Sequence, residues 1–130
     1  MSARYRDGMP ERPYTLSCHC NAIRLSVDAD LDGLLSCNCS TCRRFGAIHW
    51  YVPSKAVTML EGSKPLSTYA WRFVHEGHHF CGTCGTSVMR TGYPDGTVAL
   101  NVCMVEEIDP HALDVKRFDG RTKIKPGVTR

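Results

Sequence analysis

The chain has 130 residues, a formal net charge of +3 and 42% hydrophobic residues, the profile of one globular domain with a modest core. No apolar run reaches the ~18–20 residues of a membrane span, no Ser/Gly/Gln-rich tract argues for disorder, and the opening Met1-Ser2-Ala3-Arg4-Tyr5-Arg6 lacks the apolar segment of a secretory signal, so a cytoplasmic address is expected. Lys and Arg are scattered, apart from Arg121, Lys123, Lys125 and Arg130, and this is no nucleic-acid footprint.

Residues 1–13 carry Arg4, Arg6, Gly8, Pro10, Arg12 and Pro13 and read as an irregular arm. Tyr14 to Cys18 and Ala22 to Val27 alternate apolar with polar, two strands of a hairpin whose turn carries Cys18 and Cys20. Leu34-Leu35-Ser36 leads into Cys37-Asn38-Cys39-Ser40-Thr41-Cys42, where Cys39 to Arg44 is expected to form one helical turn. Ala47 to Val52 is β-rich without polar alternation, the pattern of a buried central strand.

Further strands are expected at Val57–Leu60, Leu66–Ala70, Arg72–Val74, His78–Phe80, Thr86–Arg90 and Thr97–Val102. Glu76-Gly77 reads as a hairpin turn after Phe73-Val74-His75. Glu106 to Leu113 is a loop with one helical turn, Val115 to Phe118 a last edge strand, and 119–130 a polar tail. The expected organisation is an arm (1–13), a mostly β domain of short antiparallel strands (14–118) and that tail.

Eight cysteines make disulfides and metal the competing accounts. A reducing cytosol disfavours disulfides, and the C-x-C and C-x-x-C spacings favour metal. Zinc prefers four ligands in a tetrahedron, and thiolates suit it. Cys18 and Cys20 with Cys81 and Cys84 close one tetrahedron across 60 intervening residues, a structural site contributing folding free energy. Gly82 and Gly85 are expected to supply open dihedrals to that knuckle.

Cys37, Cys39 and Cys42 form a separate set of three, the pattern of a catalytic zinc with an exchangeable fourth position. That position is either open to a guest or closed by Cys103 or a histidine; Cys103 otherwise reads as a small buried hydrophobe. Two zinc ions per chain with seven thiolates carry a net charge of about −3, which cancels the formal +3. Arg43 and Arg44, beside Cys42, are candidates to hold a substrate carboxylate, and His49 is the histidine placed best to line a pocket. Trp50 and Tyr51 are expected in the core.

The ordered trio C-x-C, C-x-C-x-x-C and F-C-x-x-C-G, with Gly46, Gly62, Leu66, Tyr69, Thr86 and Asn101-Val102, resembles the glutathione-dependent formaldehyde-activating enzyme family, which includes centromere protein V. The resemblance implies a zinc-containing β-tent fold of stacked sheets. It matches Cys18, Cys20, Cys81 and Cys84 to the structural zinc and Cys37, Cys39 and Cys42 to the catalytic one. It also implies a carbon–sulfur lyase joining glutathione, a small-molecule thiol, to formaldehyde as S-(hydroxymethyl)glutathione. Asn21 stands where glycine usually follows the C-x-C, and asparagine tolerates the positive φ such a turn needs. The alternatives are a non-enzymatic zinc module for a protein or nucleic-acid partner, and a redox sensor that loses the second zinc on oxidation.

Overall fold

The computed structural model describes residues 10–70 and 76–124. Residues 1–9 of the arm, Arg72–Val74 with the first strand of the Glu76-Gly77 hairpin, and Lys125 and Arg130 of the tail lie outside them.

Two sheets face each other. The smaller has three antiparallel strands in the order β1 (Tyr14–Ser17), β2 (Arg24–Val27), β5 (Val57–Met59). The larger has seven: β10 (Lys116–Phe118), β3 (Leu35–Cys37), β4 (His49–Pro53), β9 (Thr97–Asn101), β8 (Ser87–Thr91), β7 (Gly77–Phe80) and β6 (Ser67–Tyr69). Helix is limited among the described residues to α1 (Cys42–Phe45), α2 (Gly120–Lys123) and three 3-10 turns. The fold is therefore mostly β, as the spacing of short alternating segments predicts. Among the described residues all strand pairs are antiparallel except β10 with β3, which is parallel. Sequence pattern cannot reveal this, because a parallel pair needs a long crossover and here the crossover is most of the chain.

Alternation puts one face of each sheet into a shared core. Tyr14, Leu16, Leu25 and Val27 from the small sheet meet Trp50, Val52, Val98, Leu100 and Met89 from the large one. Trp50 is fully buried, packs edge-on to Tyr14 and donates its indole N–H to the Asp30 carbonyl at 2.9 Å.

The other face of the large sheet is polar. In an antiparallel ladder, residues directly opposite share a face. His49 opposes Asn101, Tyr51 opposes Ala99, and Arg90 opposes both Ala99 and His78. His49, Asn101, Arg90 and His78 thus stand on one surface, and all four are buried. β4 does alternate, but between an apolar core face (Trp50, Val52) and this polar face. Tyr51 is 40% exposed rather than in the core, beside Tyr93 at 6.1 Å between ring centres.

Candidate metal centres

The first cysteine cluster sits where the β1–β2 hairpin meets the knuckle after β7. The hairpin turn closes with Cys18 N–H on the Ile23 carbonyl at 3.1 Å and Asn21 N–H on the Cys18 carbonyl at 3.0 Å. Asn21 has φ of 67°, the one positive φ at a non-glycine among the described residues, so asparagine does the work expected of it. In the knuckle, Gly85 at φ 80° turns the chain and gives its N–H to the Cys81 carbonyl. Gly82 serves otherwise than expected: its φ is not positive, but a Cβ there would stand 2.5 Å from the Ser67 hydroxyl on β6. It is needed for close approach.

The four sulfurs of Cys18, Cys20, Cys81 and Cys84 lie within 4.8 Å of one another. Cys18 to Cys20 and Cys20 to Cys81 are both 3.7 Å. A disulfide is about 2.05 Å, and all eight cysteines are free. A zinc–sulfur bond of about 2.3 Å gives a tetrahedral edge of about 3.8 Å, so the cluster has the dimensions of a tetrathiolate metal site. The backbone already favours thiolate there. N–H groups of Cys84 and Thr83 point at Cys81 Sγ at 3.5 and 3.4 Å and hold its pKa below the usual thiol value. The Thr86 hydroxyl, 3.1 Å from Cys84 Sγ, leads the interactions that pull Cys84 down to about 5.

The second cluster lies on the polar face of the large sheet. Cys37 ends β3, and Cys42 begins α1, which stops at Gly46 in the left-handed conformation. The helical turn starts later than Cys39, because the loop Cys37–Thr41 first wraps its own sulfurs: Cys39 N–H faces Cys37 Sγ at 3.4 Å and Cys42 N–H faces Cys39 Sγ at 3.5 Å. The three sulfurs lie within 4.8 Å of one another. The Cys42 thiol bonding to Cys39 holds Cys39 down at about 4 and pushes Cys42 up. This soft, convergent donor set is compatible with zinc and supplies three ligands.

The sheet beneath steadies the trio. His49 Nε2 is 3.1 Å from Cys42 Sγ. Burial and then the Arg90 charge pull its pKa down to about 4, so the ring is neutral. His49 thus reaches the site through Cys42. Arg90, 7% exposed, donates from Nη2 to the Thr41 hydroxyl at 3.1 Å. Thr41 in turn stands 3.5 Å from Cys39 Sγ, so its one proton is free to point at sulfur while its oxygen accepts from arginine. Arg90 is a buried cation beside the trio and would offset the charge of about −1 that three thiolates and a divalent ion carry together.

Residues 119–124, expected in a polar tail, close over the loop. Asn38 Nδ2 donates to Asp119 at 3.1 Å, and Arg121 N–H returns to Asn38 Oδ1 at 2.8 Å. Gly120 lies against Cys37 and Cys39: a Cβ there would fall 2.5 Å from Cys37 Sγ and 3.1 Å from Cys39 Cβ. A cleft of about 390 Å³ opens beside Cys37 and Cys42, with Arg43, Arg117 and Phe118 in its walls. Arg43 is where the sequence suggested. Arg44 is not in that lining; its guanidinium bonds the Ser40 carbonyl at 2.7 Å. Cys103 does not join the trio and is not buried: it is exposed on the 3-10 turn Val102–Met104, which Asn101 caps through Cys103 N–H.

Sequence reasoning missed Arg90, Thr41, Arg117 and Gly120. Only Arg90 carried a signal, an arginine inside the otherwise apolar, buried run Val88-Met89 of β8. No helix among the described residues is long and apolar enough to cross a membrane.

Comparison with known proteins agrees with this fold. A crystal structure of a Rhodobacter sphaeroides protein, a structural-genomics target, superposes with a TM-score of 0.69 and 29% identity, covering 80% of this chain and 99% of that one. The family model for the glutathione-dependent formaldehyde-activating enzyme matches residues 13–119, a span that contains both cysteine clusters and every strand described above. The chain belongs to that family.

Proposed function

We propose that the chain is a zinc-dependent carbon–sulfur lyase acting on a thiol–aldehyde adduct, with glutathione and formaldehyde as the family's pair. The observation that carries this is the inequality of the two clusters. Four sulfurs converge at one, whereas three converge at the other, next to an open cleft of about 390 Å³. On this reading Cys18, Cys20, Cys81 and Cys84 hold a structural zinc, and Cys37, Cys39 and Cys42 a catalytic one, two ions per chain. Held by Cys37, Cys39 and Cys42, zinc would supply Lewis-acid and thiolate-stabilising chemistry.

The chain's own groups do the rest. His49 and Thr41 fix the orientation of Cys42 and Cys39, as outer-shell partners do for metal ligands. Arg90 offsets the charge of the trio. Arg43 stands in the cleft wall and can meet a carboxylate of the thiol. In the forward direction the thiol sulfur bonds to the aldehyde carbon, the C=O π pair moves to oxygen, and the thiol proton ends on that oxygen by way of solvent. Residues 14–118 form the functional domain, with 119–124 as its latch. Eight cysteines with no disulfide among them fit a reducing, cytoplasmic setting.

The test is Cys39→Ser in purified, zinc-loaded protein. Turnover of glutathione with formaldehyde should vanish and one tightly held zinc should remain, with the far-UV spectrum unchanged. Wild-type turnover in the variant would refute the reading.

A further inference from the structure

α1 carries Cys42 at its first position and Phe45 at its last, and it is only four residues long. So short a helix does not hold itself, since isolated helices below about 12–15 residues are marginal in water. Its side chains must fasten it. Residues three apart lie on the same side of a helix, so Phe45 meets the sheet on the side that carries Cys42.

Phe45 lies flat on the buried His78, with ring centres 3.9 Å apart and an interplanar angle of 3°. Tyr69 meets Phe45 edge-on at 6.4 Å. Tyr69 and Arg90 are the direct cross-strand neighbours of His78, so the three form one row on the polar face. Arg90 in turn holds Thr41, the residue just before α1, at 3.1 Å. The helix is thus fastened at both ends, by Arg90 at its start and His78 at its finish. Both residues come from the β7–β8 hairpin, whose turn is the four-cysteine knuckle. Neither contact uses a cysteine, so neither competes with metal for a ligand. Phe45 remains 37% exposed and lies outside the hydrophobic core, so its contribution is local. A site ordered before its ligand arrives gives up less freedom on binding, and affinity rises accordingly.

We infer that Phe45 and His78 are positioning residues for the second metal centre: their stack docks α1 on the sheet and holds Cys42 within reach of Cys37 and Cys39 before metal arrives. This deepens the proposed function and rests on the trio holding the second zinc.

The experiment loads the full-length chain with two equivalents of zinc and withdraws them by competition with a chromophoric chelator. It uses the wild type, Phe45→Tyr, Phe45→Leu, Phe45→Ala, His78→Gln and the double variant Phe45→Ala/His78→Gln. Cobalt-loaded samples report the geometry at the trio through their d–d bands, independently of turnover. Phe45→Ala should weaken the second metal about tenfold, the upper range for an aromatic pair, and leave the first within about twofold. Phe45→Leu keeps bulk without a flat face; it should weaken the second metal about fivefold and shift its d–d bands. Phe45→Tyr keeps the ring and should stay within about twofold of the wild type. His78→Gln should cost about as much as Phe45→Ala, and the double variant little more than either, because the two changes break one contact. Should His78→Gln fail to fold, the Phe45 series decides alone. Wild-type affinity in Phe45→Ala or Phe45→Leu, equal weakening of both metals, or full additivity in the double variant overturns the proposal. A wild type that holds only one zinc removes the trio as a metal site, and the proposed function falls with it.

Discussion

A methyl group at Gly120 has nowhere to go. The added Cβ would stand 2.5 Å from Cys37 Sγ, 3.0 Å from Ile124 Cδ1 and 3.1 Å from Cys39 Cβ. Ordinary contact begins near about 3.5 Å, so the sulfur must retreat about 1 Å. Ile124 can rotate its terminal methyl away, but Cys37 cannot turn aside and still share a centre with Cys39 and Cys42. Alanine is otherwise the better helix former by up to about 1 kcal/mol, so the sign of the net effect depends on whether the trio is occupied. With metal on the trio, overpacking should cost about 1–3 kcal/mol. That corresponds to a loss of second-metal affinity of about five- to 150-fold. With the trio empty, Cys37 rotates and the penalty should shrink toward zero. Competition titration against a chromophoric chelator measures the first quantity, and denaturant unfolding of protein loaded with one or two metals measures the second. Wild-type affinity for both metals in Gly120→Ala would refute the claim that α2 is seated on the metal loop.

Cys81→Ser should do far more damage than any change at the trio, because the first cluster ties the β1–β2 hairpin to the β7–β8 knuckle; a loss of more than about 5 kcal/mol is expected. Thermal unfolding with and without a strong chelator checks it, and a variant as stable as the wild type would remove the structural role. Arg90→Gln should weaken metal binding at the trio about 10–100-fold, the usual cost of losing an outer-shell partner, while the four-cysteine site is unaffected; chelator competition resolves the two. His79 gives a pH prediction. Burial lowers its pKa below 6.5 against a smaller opposing pull from Glu76, and the ring is held between Thr68 and Thr91 hydroxyls at 2.8 and 2.7 Å. Because the folded state resists protonation, this stability is fully present above about pH 6.5 and is lost as pH falls through the lower folded value. His79→Gln should flatten that segment of the unfolding free energy against pH, and an unchanged slope would exclude His79 as its source.

The chain's order of local patterns was enough to place both cysteine sets and nearly every strand. C-x-C and C-x-x-C pairs converge through tight turns a few residues long, so their chemistry is written in adjacent positions; the same holds for Asn21, whose side chain licenses its own positive φ. Alternation likewise sorts faces within one strand, and the apolar members of the first two strands, Tyr14, Leu16, Leu25 and Val27, are core residues in the fold. What alternation cannot say is what lies across the sheet. His49 and Arg90 become a support for the trio only because β4, β9 and β8 are laid side by side in a register that aligns them. Gly120 reaches the loop, and Arg117 the cleft beside it, only because the last strand returns, parallel, to β3, some 80 residues later in the chain. Ligand identity is a short-range property carried by residue type and spacing. Charge balance, cleft shape and closure of the site depend on pairings between distant segments, and only the folded arrangement of hydrogen-bonded strands decides those.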